Sequence, residues 1–181
     1  SGSVYPTMHG TRFEHSLGAM HLAGRCLAMA LENNRTTQGP IFLEKLKQEL
    51  LSRFQFGTQF TWNDDASGRL AVRIARLYGA LHDIGHPPYS HLLEKCLPFD
   101  RIDAENARKY ELKHHAKWHE INGQLIIQEH LFTKYNFDQK IGDQLCVEAV
   151  KLLADKNLPE LGPGLTAIRT LVDSVIDADR M

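Results

Sequence analysis

No stretch of this 181-residue chain approaches the run of about 18 apolar residues that a membrane-crossing helix needs, and no signal peptide opens it. Strand-like alternation is absent, as are glycine-rich phosphate loops, low-complexity tracts and internal repeats. Cysteine is scarce. Cys26, Cys96 and Cys146 are odd in number, far apart and form no Cys-x-x-Cys. That argues against a disulfide framework and for reduced thiols in a cytoplasmic protein. An excess of one charge is lacking too, since the net charge is −1. Nucleic acid and anionic lipid are therefore not indicated as partners, no membrane is expected, and any anion binding must be local.

What remains is an ordinary globular composition, 43% hydrophobic and 24% charged, with one unusual count: ten histidines. The length suits one domain with a real core. Ser1-Gly2-Ser3 reads as a tag remnant, with residues 1–8 as that remnant plus an N-terminal loop, and 9–181 as the domain. Helical periodicity dominates. A first helix opens around Thr11 to Ser16, with Ser16 as N-cap and Leu17, Met20, Gly24, Leu27 and Leu31 facing inward. After a polar break through Pro40, Ile41 to Phe54 carries Leu43, Leu46, Leu50 and Phe54 on one stripe. Residues 56–68 read as loop, and the stretch of about 32–68 as a helical insertion, a lid or interaction element. Further helices are expected over Arg69 to Leu81, Lys113 to Phe132 and Asp138 to Asp155, then from Leu165 onward with Ile168, Val172, Val175 and Asp179 in phase. The expectation is an all-α helical bundle. Its end at Met181, inside a helix, reads as a truncation of something longer.

The stretch from Leu81 to His91, Leu-His-Asp-Ile-Gly-His-Pro-Pro-Tyr-Ser-His, holds three histidines in ten residues. Gly85 and the Pro87-Pro88 pair stop the preceding helix, so His82 and Asp83 stand at its C-terminus. Neutral imidazole and a hard carboxylate side by side suit a divalent cation. A hydrogen-bonded cap is the plainer alternative. Asp179, in phase with an apolar stripe, either meets a cation or lies solvated beside Asp177 where the helix frays, because an unpaired buried carboxylate costs several kcal/mol or more. His15 alone is more often a cap or core histidine than a ligand. Together His15, His82, Asp83 and Asp179 would leave open positions on an octahedral ion for water and substrate, hence hydrolysis. A closed structural zinc site would favour Cys and His.

These residues resemble the H…HD…D pattern of the HD superfamily of metal-dependent phosphohydrolases. Thr-Arg-Phe-Glu-His-Ser-Leu-Gly, the Leu81 to His91 segment and Asp-Ala-Asp-Arg-Met at the end are similar to the branch containing deoxynucleoside triphosphate triphosphohydrolases. The resemblance spans His9 to Met181. It implies His15, His82, Asp83 and Asp179 as ligands of one divalent or trivalent metal (Mn, Fe, Ni or Zn, or Mg), with no organic cofactor. Asp179 is favoured over Asp177 because the second Asp of the pair is the ligand in that family. His91 and Glu94 would match a catalytic dyad, and His119 a phosphate-contacting histidine able to act as general acid. His86 and Arg12 would match phosphate or substrate contacts.

Local chemistry agrees. His91 and Glu94, three apart, share a helix face, so the carboxylate can orient the imidazole; a surface ion pair is the alternative. Lys113 and Lys117 could neutralise a polyphosphate with Arg12, or form a solvated basic face. His114 and His115 fit the surface, Trp118 the core, and Tyr89 either role. The implied reaction is cleavage of a dNTP to deoxynucleoside and triphosphate. A nucleotidase or phosphodiesterase with the same site, or a nucleotide-sensing module with little turnover, are the alternatives. Related enzymes continue past the Asp-x-Asp helix with a region that binds nucleotide and assembles oligomers, so a homo-oligomer stays open. No Gly-Tyr-Pro follows the His-Asp pair, which argues against the cyclic dinucleotide phosphodiesterase branch.

Overall fold

The computed structural model describes residues 12–86, 118–131, 140–155 and 160–175. Every regular element among them is helical: α1 (Arg12–Asn33), α2 (Gln38–Arg53), α3 (Asp64–Leu81), α4 (Trp118–Leu125), α5 (Ile141–Ala154) and α6 (Pro163–Thr170). A 3₁₀ turn spans Gln55–Gln59, and π-helical turns extend α4 over Ile126–Leu131 and α6 over Leu171–Val175. The expected all-α fold is what the chain adopts. The irregular stretch from Pro98 to Arg108 lies outside the described residues.

The central helix is α3, and its buried face is the longest: Leu70, Ala71, Ile74, Ala75, Tyr78 and Leu81 all sit in the core. It starts five residues before the expected Arg69. Asn63 caps it, its Oδ1 accepting from the Ala66 amide at 2.8 Å, and Asp64 and Asp65 in the first turn complement the positive end of the helix dipole. The Thr-Asn-Asp run that reads as loop is therefore a helix start signal.

Against α3 lies α1, and the contact is made by small residues. Ala19, Ala23 and Gly24 are buried with Leu27, whereas Leu17 is 44% exposed. A Cβ on Gly79 of α3 would come within 3.0 Å of the Ala19 carbonyl oxygen and 3.1 Å of the Ala23 Cβ, so the two backbones approach closely. The expected inner face fails for Leu17 for that reason: close packing selects size, and a hydrophobicity stripe selects leucine. Helix α1 also begins at Arg12, which puts Ser16 inside it rather than at its cap.

Helix α2 opens at Gln38, so Pro40 stands in its first turn, where a missing N–H costs no helical bond. Its Leu46 and Leu50 belong to the common core. Glu49, also buried, reaches across the fold: its Oε1 accepts from the Gly162 amide at 2.5 Å and its Oε2 from the Leu165 amide at 3.0 Å. A carboxylate from α2 thus caps α6, whose own start is set by Pro163 at the first turn. Glu49→Ala leaves two N–H groups, that of Leu165 buried and that of Gly162 part-buried, without these acceptors, and a loss of about 3 kcal/mol is expected. Urea unfolding should show the midpoint falling with an unchanged slope.

At the other end of α6, Arg169 caps α5. Its Nη2 donates to the carbonyls of Leu153 at 2.6 Å and Asp155 at 2.9 Å, and its Nε to Leu153 at 3.2 Å. Buried in α5, Cys146 has its thiol pKa pushed up to about 11 by burial, with Asp143 adding to the rise and Arg73 opposing it. The unfolded thiol ionises first, at its ordinary value of 9.0. Its contribution is therefore intact below that pH and is lost as the pH climbs through about 11. That loss is on the order of 2 kcal/mol. Chemical unfolding between these pH values should give a shallower decline for Cys146→Ala than for the parent chain.

Candidate metal centre

Helix α3 ends where the His-Asp pair begins. The His82 amide still donates to the Tyr78 carbonyl at 2.8 Å, and the backbone then turns, with the Ile84 and His86 amides bonded to the carbonyls of Leu81 and Asp83. His82 is therefore the C-cap of α3. Its ring Nδ1 lies 2.8 Å from the Gly79 carbonyl oxygen. A carbonyl can only accept, so Nδ1 carries a proton, and the neutral form of the ring has its lone pair on Nε2. The cap and the ligand readings of His82 are one arrangement: the bond that closes the helix sets the tautomer that a metal needs.

That Nε2 faces Asp83, 3.6 Å from Oδ1, while His15 Nε2 approaches Oδ2 at 3.4 Å. His15 comes from the first turns of α1, brought here by the close α1–α3 contact, with its ring centroid 5.6 Å from that of His82. One donor atom from each of His15, His82 and Asp83 lies within 4.8 Å of the others, all partly shielded from solvent. Two imidazole nitrogens and one carboxylate oxygen at this spacing, with His82 Nδ1 engaged from behind, fit a borderline divalent cation.

A third imidazole joins them. His86 Nε2 stands 3.5 Å from Asp83 Oδ1, its side chain 6% exposed, and its ring stacks on that of His119 with centroids 3.8 Å apart and planes 15° off parallel. Helix α4 delivers His119 because the turn after Asp83 packs directly on it. Asn122 donates to the Gly85 carbonyl at 3.0 Å, and Gly85 lies so close that an added Cβ would meet the His119 carbonyl oxygen and the Gly123 backbone. Gly85 reads in the sequence as a helix stop. Its second duty, allowing α4 to touch the His-Asp turn, carries no local signature.

Of the expected site residues, His15, His82, Asp83, His86 and His119 are brought together. Arg12 is exposed at the start of α1. Asp179, His91, Glu94, Lys113 and Lys117 lie outside the described residues. Tyr78 and Asp173 carry no signal in the sequence, yet they meet. The buried Tyr78 hydroxyl donates to Asp173 Oδ1 at 2.9 Å, and burial foremost, with the Asp173 charge next, holds this phenol well above its ordinary range. It remains a donor at any physiological pH.

Residues 12–157 match the HD domain family. The chain belongs to that family. Among relatives, this HD domain is 33% identical over 132 residues to the deoxynucleoside triphosphate triphosphohydrolase SAMHD1 of Danio rerio, covering 70% of the chain and 16% of the relative. It is 30% identical over 131 residues to the human protein of that name, covering 72% of the chain and 14% of the relative. An uncharacterised protein of Mycoplasma pneumoniae is 29% identical over 182 residues, covering 98% of the chain and 31% of the relative. The chain thus spans less than a third of the length of each. No solved structure gives a significant match. Among the described residues, no helix is long and apolar enough to cross a membrane.

Proposed function

We propose that this HD domain is a metal-dependent phosphohydrolase acting on a nucleotide, a deoxynucleoside triphosphate cleaved between its 5′ oxygen and α-phosphorus to release triphosphate. The observation that carries this is the convergence of His15, His82 and Asp83 within 4.8 Å. The triphosphohydrolase names of two relatives supply the substrate class.

In this reading His15, His82, Asp83 and Asp179 would hold one Mn, Fe, Ni, Zn or Mg ion. When bound, such an ion supplies Lewis acidity toward a phosphoryl oxygen and makes water acidic enough to ionise near neutrality. The chain's own side chains do the rest. Asp83 divides its two oxygens, Oδ2 toward His15 and Oδ1 toward His82 and His86, so one carboxylate stands within reach of three imidazoles. His86 donates to a phosphate oxygen beside the ion site. His119, stacked on it, acts as the general acid toward the departing 5′ oxygen, help worth about 10²–10⁴ in rate. His91 and Glu94 act as a dyad beside the α-phosphate, and Arg12, Lys113 and Lys117 neutralise the phosphate tail.

The test is a panel of dNTPs, NTPs, monophosphates and cyclic dinucleotides incubated with the metal-loaded protein, with products separated by chromatography. Deoxynucleoside plus triphosphate is the expected pair. Inorganic phosphate from monophosphates would replace the substrate assignment with a nucleotidase. Absence of turnover with every metal would leave a binding module and overturn the enzyme.

A further inference from the structure

The four residues from Tyr78 to Leu81 are the last turn of α3, and the next residues are His82 and Asp83. The five from Leu171 to Val175 are a π-helical turn, and Asp179 comes four positions later. A hydrogen bond joins these two places: the Tyr78 hydroxyl donates to Asp173 Oδ1 at 2.9 Å. Both ends of the bond are braced. Tyr78 is 1% exposed within the core, and its carbonyl accepts from the His82 amide at 2.8 Å, so its position is also that of the ligand turn. On the other side, Arg169 in α6 grips the α5 carbonyls of Leu152, Leu153 and Asp155 and lies close enough to act on the same hydroxyl. Such π turns are rare and often stand at functional sites. Asp173 lies inside it, flanked by the buried Val172.

We infer that the Tyr78–Asp173 hydrogen bond is a positioning tie, holding the last turn of α3, and with it the turn that bears His82 and Asp83, against the Leu171–Val175 turn. The inference rests on the proposed ligand set. Neither residue is among those ligands; they act through the backbones they fix. A tyrosine at this place in a core stripe needs a partner for its hydroxyl, and phenylalanine would fill the same space with no polar group to satisfy. The hydroxyl is thus the part of Tyr78 that packing does not require. Removing a contact that holds metal ligands from behind typically changes metal affinity by about 10–100-fold.

Manganese(II) affinity, measured by electron paramagnetic resonance titration of the whole chain, reads the tie without requiring turnover. Four variants frame it: Tyr78→Phe, Asp173→Asn, Asp83→Ala as the ligand control, and Leu50→Ala, the last a core truncation on α2 that lowers stability away from the site. Tyr78→Phe should weaken manganese binding by about tenfold or more. Asp173→Asn, which keeps an acceptor oxygen for the hydroxyl, should stay within about threefold of the parent, a conservative rescue. Leu50→Ala should lose thermal stability and keep its affinity. Should Tyr78→Phe bind manganese as the parent does while Asp83→Ala binds none, the tie is overturned and the metal site stands. Should Asp83→Ala keep the parent affinity, the ligand set falls and the tie with it. Equal weakening in Leu50→Ala and Tyr78→Phe would also overturn it, since general loosening would then suffice.

Discussion

Asp83→Ala should lose manganese binding and at least about a thousandfold in kcat/KM while keeping its helical fold. The carboxylate is the hub of the cluster, standing 3.4 Å from His15, 3.6 Å from His82 and 3.5 Å from His86. Removing it takes away the charged ligand and leaves neutral imidazoles, which bind a divalent ion far less well at a partly exposed site. Lewis acid stabilisation of developing phosphoryl charge is worth several kcal/mol, and each ~1.36 kcal/mol is a decade in rate, which sets the thousandfold. The fold survives because Asp83 comes after the end of α3, outside the apolar core, with its side chain 29% exposed. Circular dichroism and a metal titration on one preparation test both halves. Parent-like activity in Asp83→Ala would refute the assigned site.

Gly85→Ala should be the most disruptive single-methyl change near the site, at about 3 kcal/mol or more, the upper range for overpacking. The added carbon would be driven into the His119 carbonyl oxygen and the Gly123 backbone, and backbone cannot swing aside as a side chain can. Relief requires α4 to move off the His-Asp turn, which breaks the Asn122 hydrogen bond to the Gly85 carbonyl and separates His119 from His86. Stability and turnover should therefore fall together. Gly123→Ala is the matched control: its Cβ would lie 3.4 Å from the Gly85 nitrogen and 3.6 Å from the Gly85 Cα, ordinary contact distances. Thermal melts should separate the two by several degrees. A Gly85→Ala protein as stable as Gly123→Ala would mean that α4 does not press on the turn.

Much of the site is legible in the sequence because its chemistry is written in residue type. His82 and Asp83 adjoin in the chain, Gly85 and the two prolines mark where the helix stops, and His15 is drawn in by motif. The fold class is legible as well, since helical periodicity runs through every segment. What the sequence conceals depends on close approach. Leu17 looks like core and is exposed, because Ala19 and Ala23 let α3 come too near for leucine. Asn63 hides a helix start within a polar run. Glu49 gives no hint that it caps a helix 113 positions away, and the tie between Tyr78 and Asp173, 95 apart, is equally non-local. Hydrophobic pattern reports which face is buried; it does not report which partner buries it.

The central claim is that His15, His82, Asp83 and Asp179 hold one ion with room left for a phosphate. Anomalous diffraction at the manganese edge, from crystals grown with that metal, tests it most directly. The predicted result is one peak bonded to His15 Nε2, His82 Nε2 and a carboxylate oxygen each from Asp83 and Asp179, with His86 and His119 facing its open side. A peak elsewhere, or one at Asp83 from which His15 or Asp179 stands apart, would contradict the account.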